Sequence, residues 1–308
     1  MEYLDLYLEK RPLKFGGADR SFESADYAIV GVPLDDTGSY RPGTRFAPLR
    51  VREASMNIES NGYTIPEAFL ESVPYSDLGD LGVTIGYTPG TLDRLRRVVG
   101  EIAGGGKKPF LIGGEHTITL GALQGLNVNN LCLAVFDAHF DLRSVYLENR
   151  LSHACVMRRV LEEVRPKRIA YIGVRAYSQE EILLAKSRSD ILYFTPVDIV
   201  RMGPVNVASY IMKSFEDCEN IYVSFDIDGL DPSIAPGTGT PEPGGLDFLG
   251  AMRILSRLID DRLAGFDIVE VNPLVDNHDV TSVVAAKIVQ EALLLAYSAD
   301  TRKRGRMK

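Results

Sequence analysis

The hydrophobic positions of the chain fall into short segments that alternate with amphipathic ones. Six apolar segments rich in Val, Ile, Phe and Tyr are typical of buried β-strands: residues 27–32, 109–114, 131–139, 168–175, 220–228 and 265–273. Four segments space their apolar residues as helices do: residues 91–103, 153–164, 247–260 and 280–297. The alternation predicts an α/β fold with helices on both faces of a mostly parallel sheet.

The chain shows no internal repeat and no low-complexity linker. Residues 1–308 are therefore predicted to form a single domain. Glycine and proline make the first sixty residues loop-rich, and residues 1–26 are interpreted as an N-terminal extension. Residues 301–308 hold five basic side chains and are predicted to be a disordered, solvated tail.

The overall charge excludes one class of partner. The chain has 42 acidic and 34 basic residues, and without the basic tail its net charge falls from −8 to −13. So acidic a protein lacks the basic surface that nucleic-acid binding needs, and we expect no such partner. It suits cationic substrates or metal ions better.

The cysteines and the apolar content give expectations about the protein's surroundings. Cys132, Cys155 and Cys218 are few and widely spaced, so we expect reduced thiols and no disulfide. The N-terminus is too acidic for a signal peptide. No uninterrupted run of about 18 apolar residues is present, so we expect no membrane partner and a cytoplasmic protein.

Acids and histidines follow four of the predicted strands. Parallel sheets bind ligands beyond the carboxyl ends of their strands, so these side chains are predicted to share one rim. They are Glu115 and His116, then Asp137, His139 and Asp141, then Asp226 and Asp228, and finally Glu270.

The spacing of the acids predicts a binuclear metal site. Asp137, His139 and Asp141 would point to one side if the strand conformation continued through them. Four carboxylates without countercharge would repel each other strongly, whereas two divalent cations would balance them. Oxygen and imidazole ligands without cysteine suit Mn²⁺, with Zn²⁺, Ni²⁺, Co²⁺ and Fe²⁺ left open. Two such ions can share a water and lower its pKa towards neutrality, which would supply a hydroxide nucleophile.

The motifs that carry these residues resemble the ureohydrolase family of arginases and agmatinases. GGEHT, DAHFD, SFDIDGLDPSIAPGTGTPEPGGL, GVPLDDTGSYRPGTRFAP and EVNPLVDNHDVTSVVAAKI all match, from about residue 29 to 295. The resemblance implies a three-layer αβα fold, two Mn²⁺ ions per chain and a homo-oligomer, trimeric or hexameric. It assigns His116, Asp137, Asp141 and Asp226 to one metal, and Asp137, His139, Asp226 and Asp228 to the other.

The resemblance also implies how a small cationic guanidino substrate is handled. A metal-bridging hydroxide would attack the guanidinium carbon, and the intermediate would collapse to urea and an amine. Glu270 matches the guanidinium-binding glutamate, and Thr240 matches a threonine that lines the site. Asp141 would take the hydroxide proton, and His153 matches the histidine that protonates the leaving amine. A histidine titrating near neutral pH suits that role.

The tail of the substrate is the part that the residues leave open. Arg143 stands where arginases carry an asparagine for the α-carboxylate, and the segment up to His153 resembles agmatinases. We therefore predict hydrolysis of agmatine to putrescine and urea, as in polyamine biosynthesis. Ser144 and Val145 replace the acids common in agmatinases, so a guanidino acid held by Arg143 is an alternative, and arginine is a third.

Other chemistries are weighed against this prediction. Cys155 and His153 could form a covalent amidine hydrolase, but residues two apart on a helix do not face each other. Metal-dependent deacetylases share the arginase fold with a reduced, one-metal ligand set. An inactive metal-binding relative would not need Glu270 and His153. His278 has no matching role and is predicted to be a surface loop residue.

Overall fold

A computed structural model describes residues 1–306, whose strands form one nine-stranded sheet. The strands are β1 (Leu8–Glu9), β2 (Tyr27–Val32), β3 (Tyr75–Leu81), β4 (Lys108–Gly113), β5 (Leu131–Phe136), β6 (Arg168–Ile172), β7 (Ile191–Phe194), β8 (Asn220–Asp226) and β9 (Leu263–Val269). Their order across the sheet is β1-β3-β2-β4-β9-β8-β5-β6-β7. The β1–β3 pair is antiparallel, and every other pair is parallel.

Helices cover both faces of this sheet. They are α1 (Glu2–Tyr7), α2 (Ala47–Ser55), α3 (Thr88–Gly104), α4 (Ile118–Leu126), α5 (Val156–Arg159), α6 (Gln179–Ser187), α7 (Pro196–Met202), α8 (Pro204–Ser214), α9 (Phe248–Leu258) and α10 (Val280–Arg306). A π-helical turn at Val160–Val164 continues α5. Alternate residues of β2 enter two separate buried clusters, one shared with α2 and α8–α10 and one with α3–α5. The predicted three-layer αβα fold is confirmed.

The six strands predicted from apolar segments are present, and three others were missed. The missed strands are β1, β3 and β7, of which β3 reads YSDLGDL. Its Asp77 and Asp80 are buried because Arg52 of α2 pairs with both. A strand that buries acidic side chains does not show the alternating apolar pattern on which the prediction rests.

Residues 1–26 are more regular than a loop-rich extension. Helix α1 packs against α3, and β1 adds an antiparallel edge strand to the sheet. The backbone N–H groups of Tyr3 and Leu4 both donate to Glu101 Oε2, at 2.7 and 3.1 Å. The segment is thereby fastened to the body of the domain.

The C-terminal helix α10 differs from expectation in two ways. A window within Val280–Gly305 has the length and mean hydropathy, 1.5, of a membrane span, but 72% of it is buried inside the fold. The helix also continues through residues 301–306, so the prediction of disorder is wrong there. Arg304 pairs with Asp26 and Lys303 with Asp261, at 2.8 and 3.2 Å. Met307 and Lys308 lie outside the described residues.

The expectation of three reduced thiols is wrong for two of them. Cys132 of β5 and Cys218, which precedes β8, form a disulfide with a Cα–Cα distance of 5.9 Å. The pairing of β5 with β8 places Leu131 opposite Asn220 and so brings the two cysteines together. Their separation of 86 residues hides this proximity in the sequence. Cys155 is buried and bonded to no other cysteine within residues 1–306.

Candidate metal centre

The four strands that precede the acidic and histidine motifs are neighbours in the sheet. They are contiguous as β4-β9-β8-β5, although several helices and the strands β6 and β7 separate them along the chain. Gly114 allows the loops of this rim to approach closely, because a Cβ at this position would clash with the carbonyl oxygen of Leu34. The single rim predicted from the sequence is therefore present.

Two groups of potential metal ligands lie side by side on this rim. In the first, His116 Nδ1 lies 3.2 Å from Asp137 Oδ2, 3.0 Å from Asp141 Oδ2 and 3.3 Å from Asp226 Oδ2. In the second, His139 Nδ1 lies 3.5 Å from Asp137 Oδ1 and 3.1 Å from Asp228 Oδ2. Asp137 thus contributes one oxygen to each group, as a bridging ligand would.

The two carboxylate oxygens of Asp226 do not face both ligand groups, as its predicted bridging role requires. Its Oδ2 faces the first group, whereas its Oδ1 accepts a hydrogen bond of 2.9 Å from the backbone N–H of Asp228. The structure therefore brings all six predicted ligands together, and the second contact of Asp226 remains a prediction.

Two buried atoms in the first group test whether a cation fits. His116 Nδ1 and Asp137 Oδ2 are inaccessible to solvent and have no hydrogen-bond partner among the described residues. Among residues 1–306, no lysine or arginine forms an ion pair with the four aspartates of the two groups. Their ion-pair contacts are to His116 and His139. A buried carboxylate needs a compensating charge, so this set of oxygen and imidazole donors fits divalent cations, Mn²⁺ among them.

The pKa values of the carboxylates reflect their crowding. Burial and the negative charges of Asp228 and Asp137 raise the pKa of Asp226 well above its usual range. Burial and Asp137 also raise the pKa of Asp141 to about 7. Burial opposes ionisation of Asp137 as well, but His116 and His139 outweigh it and lower the pKa of that carboxyl. The four groups cannot all be ionised at low energy without added positive charge.

A hydrogen-bond chain behind His116 orients the ring. His116 Nε2 lies 3.0 Å from Ser224 Oγ, and Ser224 donates to Asp267 Oδ1 at 2.6 Å. Because the Ser224 hydroxyl gives its proton to Asp267, it accepts from Nε2–H, so Nδ1 is the nitrogen that the neutral ring would offer to a metal. Sequence reasoning missed Ser224 and Asp267, although a polar residue inside each of two apolar strands was a visible signal.

Two site residues adopt the left-handed backbone conformation. The φ angles are 51° for Asp141 and 61° for Glu270. Strand β5 ends at Phe136, so the extended conformation on which the spacing argument was conditional does not continue to Asp141. Asp141 converges with Asp137 because the chain turns. Such strain in non-glycine residues is typical of functional sites.

Glu270 and Thr240 lie against the ligand groups. Glu270 Oε1 accepts a hydrogen bond of 2.7 Å from the backbone N–H of His116, and the Thr240 hydroxyl donates to Asp228 Oδ2 at 3.4 Å. Glu270 is 8% exposed, and burial raises the pKa of its carboxyl well above the usual range. Both residues line a narrow pocket beside the ligands.

A cavity of about 280 Å³ leads from the ligand groups to the surface. It shares Ser39, His153 and Thr240 with the narrow pocket. Its other lining residues are His139, Asp141, Arg143, Tyr146, Ala154, Ala176, Tyr177, Glu181 and Glu242. Tyr146, Tyr177, Glu181 and Glu242 were not predicted, because they belong to loops and a helix end that carry no distinctive spacing.

His153 lies in this cavity wall but does not titrate near neutral pH. Burial is the main cause that lowers its pKa to about 4, and the positive charges of His139 and His116 add to it. The expectation of a near-neutral pKa is therefore wrong for this environment, in which the ring is neutral at pH 7. Thr37 Oγ1 and Ser39 Oγ lie beside the ring.

Arg143 also lines the cavity and is held at one side of it. Its Nε lies 3.7 Å from Glu181 Oε2, and its guanidinium lies over the Tyr146 ring, 4.8 Å from the centroid. The sequence left open whether Arg143 faces the pocket. The structure places it in the cavity wall, with an acid as its partner.

Cys155 and His278 take no part in the site. Cys155 is fully buried, and burial raises the pKa of its thiol to about 11, which disfavours the thiolate that a nucleophile needs. His278 is exposed at the surface, as predicted, and lies in a short 3₁₀ turn, Asn277–Asp279.

Comparison with known proteins decides the family. Residues 25–295 match the Arginase family. The chain belongs to the arginase family. It is 37% identical to the N(1)-aminopropylagmatine ureohydrolase of Thermococcus kodakarensis, over 94% of this chain and 96% of that protein. It is 34% identical to the agmatinase of Bacillus anthracis, over 89% of this chain and 93% of that one. The agmatine ureohydrolase of Thermoplasma volcanium superposes with a TM-score of 0.85 at 35% identity, covering 95% and 97% of the two chains.

Membership of the arginase family confirms the resemblance seen in the motifs. The match spans the segments that carry both ligand groups, Glu270 and His153. The roles of these individual residues remain predictions, to which the distances above now give a geometry.

Proposed function

We propose that this agmatinase-like hydrolase of the arginase family converts agmatine and water into putrescine and urea. The observation that supports this proposal most directly is that Asp137 places one oxygen in each ligand group, beside the buried carboxyl of Glu270. The names of two relatives and one structural neighbour support a substrate of the agmatine class.

The residues at the rim divide into two ligand sets for two divalent cations, of which Mn²⁺ suits the donors. His116, Asp137, Asp141 and Asp226 would hold one, and Asp137, His139, Asp226 and Asp228 the other. When bound, such a pair activates water near neutral pH by Lewis-acid chemistry.

Glu270 would hold the guanidinium group of the substrate. Its Oε1 is occupied by the backbone N–H of His116, which fixes the carboxylate, and its Oε2 lies on the side of Gly239 in the narrow pocket. A carboxylate that binds a planar cation orients it through charge-assisted hydrogen bonds. A bound cation would also restore the ionised state that burial of Glu270 disfavours.

Asp141 and His153 would move the protons. Asp141, at the junction of the first ligand group and the cavity, would accept the proton that water loses. His153 would carry a proton to the amine nitrogen as its bond to carbon breaks. Because the free ring is neutral at pH 7, it must acquire that proton during the reaction.

The tail of the substrate would lie in the cavity. Glu181 and Glu242 lie along it with the aromatic rings of Tyr146 and Tyr177, a setting suited to an ammonium group. Arg143 is already engaged by Glu181 and Tyr146. A guanidino acid is the second candidate, because Arg143 still lines the cavity and could bind a carboxylate.

Urea release separates these candidates. The enzyme is stripped with a chelator and reloaded with Mn²⁺, and kcat/KM is measured for agmatine, N1-aminopropylagmatine, arginine and 4-guanidinobutyrate. We expect activity only after metal is restored, and the highest kcat/KM with agmatine or its aminopropyl derivative. A preference for 4-guanidinobutyrate would refute the agmatine proposal. Urea release from none of the four would refute the ureohydrolase proposal in favour of a deacetylase or an inactive relative.

The family resemblance also bears on how many copies of the chain assemble. We propose a homo-oligomer, a trimer or a hexamer, as the family resemblance implies. Light scattering coupled to size-exclusion chromatography would give the mass directly, and a monomer would contradict the proposal.

A further inference from the structure

Glu115 of the GGEH motif is a buried carboxylate that the proposed reaction does not use. It is 1% exposed, lies next to His116 in sequence and lines the narrow pocket, where its carboxylate binds the loop after β2. Its Oε2 accepts from the backbone N–H groups of Asp36 and Thr37, at 3.0 and 2.7 Å. Its Oε1 accepts from the Thr37 hydroxyl at 3.0 Å. The Glu115 carboxylate thus accepts three hydrogen bonds, and the two that come from Thr37 fix that residue in place.

The Thr37 hydroxyl connects Glu115 to His153. Thr37 Oγ1 accepts a hydrogen bond of 2.9 Å from the backbone N–H of His153 and lies 3.2 Å from its ring Nδ1. A hydroxyl has one proton to donate and two lone pairs that accept. Since the proton points to Glu115, Thr37 can only accept from the ring. Nδ1 must then carry the hydrogen of the neutral imidazole.

The second ring nitrogen, Nε2, then carries no hydrogen and can accept. It lies 3.5 Å from Ser39 Oγ, whose hydroxyl can donate to it, and Ser39 lines both the cavity and the narrow pocket. Ser152 Oγ lies 3.4 Å from Nδ1 and can donate or accept, so it does not by itself select a tautomer.

We propose that Thr37, held by Glu115, is a positioning residue that fixes His153 as its Nδ1–H tautomer with Nε2 facing the cavity. Nε2 is then the atom that takes up a proton and passes it to the leaving amine nitrogen, which keeps the electron pair of the broken C–N bond. The ring returns to the same neutral tautomer after each turnover. The catalytic consequence rests on the proposed function, whereas the tautomer does not.

The tautomer can be read directly in the metal-free protein. Histidine-selective ¹⁵N labelling, with His153→Asn to assign the signal, distinguishes a protonated ring nitrogen from a bare one by chemical shift. At pH 7 we expect Nδ1 protonated and Nε2 bare in the wild type, in Thr37→Ser and in the control Ser152→Ala. In Thr37→Val, which keeps the shape and loses the hydroxyl, we expect the protonated fraction to move to Nε2. An Nε2–H tautomer in the wild type, or an unchanged spectrum in Thr37→Val, would overturn the proposal.

Kinetics of the Mn²⁺-loaded enzyme give the second readout. We expect Thr37→Val to lower kcat about 10- to 100-fold with little change in KM, the scale seen when outer hydrogen-bond partners are removed. Thr37→Ser should restore the rate because it restores the hydroxyl. Equal bound metal and equal thermal stability in both variants would exclude misfolding. A normal tautomer with urea release from no guanidino substrate would refute the proposed function and leave the positioning role intact.

Discussion

Two clusters of buried charge among residues 1–306 differ in whether their charges are balanced. In the first, which we call the arginine cluster, Arg52 binds Asp77 through Nε at 2.7 Å and Asp80 through Nη1 at 2.6 Å. Arg11 supplies a second cation to Asp80, at 2.8 Å. Two carboxylates meet two guanidinium groups, so the cluster is neutral without any added group.

The ligand groups at the rim have no such balance. Four aspartates converge on two histidines, and His116 Nδ1 lies within 3.3 Å of three of them. Desolvated like charges repel strongly, so this arrangement of carboxylates needs bound cations to offset the repulsion. The comparison teaches that buried charge alone does not distinguish a candidate functional site. What distinguishes the rim is that its buried carboxylates, at the ends of strands, lack enough positive side chains to balance them.

The largest effect is expected when the bridging carboxylate is neutralised. Asp137→Asn should lose bound metal and nearly all urea release, because it weakens both ligand groups at once. Metal analysis and thermal melting with added Mn²⁺ would show this, since a ligand that binds only the native state raises its stability. Asp93→Asn, which removes a surface carboxylate, should behave as the wild type. Two tightly bound ions in Asp137→Asn would contradict the bridging role.

Breaking the arginine cluster should affect folding and spare the metal chemistry. Arg52→Met leaves Asp77 and Asp80 buried with less compensation, and we expect the free energy of unfolding to fall by about 3–5 kcal/mol. Denaturant unfolding measures this. The surface variant Arg96→Met should change stability by no more than about 1 kcal/mol. A Mn²⁺ affinity that falls together with stability in Arg52→Met would show that the two clusters are coupled.

His153 separates ligand binding from proton transfer. His153→Asn should retain both metals and lower kcat by about 10²–10⁴-fold, the usual contribution of a positioned acid or base. Added imidazole should restore part of the rate. His278→Asn is the matched control, because that histidine is exposed in a surface turn. Loss of metal from His153→Asn would make it a ligand.

Arg143 tests the cavity wall. Arg143→Ala removes a positive charge from the wall and frees the buried Glu181. We expect kcat/KM for agmatine to rise about two- to tenfold, on the scale of a single partly exposed ion pair. Urea release from 4-guanidinobutyrate should fall. A loss of agmatine turnover would show that Arg143 supports the cationic tail indirectly.

The smallest effect is expected at Cys155. Its thiol is fully buried with a pKa of about 11, so only a small fraction is thiolate at pH 7–8. Iodoacetamide at neutral pH should leave urea release unchanged, and mass spectrometry should find Cys155 unmodified. Inactivation that follows its alkylation would revive the covalent alternative.

The motifs predicted which acids and histidines meet at the rim, because these residues directly follow strands; their roles as ligands remain predictions. DAHFD and DID place acids directly after apolar strands, and strand ends in a parallel sheet share an edge. The same reasoning missed β3, because the partner that makes Asp77 and Asp80 burial possible is Arg52, on a helix earlier in the chain. It missed the Cys132–Cys218 disulfide for a similar reason, since only the pairing of β5 with β8 brings them together.

The sequence by itself determined the alternation of strands and helices, the residue types at the rim and the family they resemble. Only the tertiary structure decided that the two oxygens of Asp137 serve different ligand groups, that Arg143 stands in the cavity wall beside Glu181, and that His153 is neutral at pH 7. The reason is physical. Residue types and short spacings are properties of the chain, whereas burial and the distances between remote segments exist only after packing, and they set the charge and orientation of each side chain.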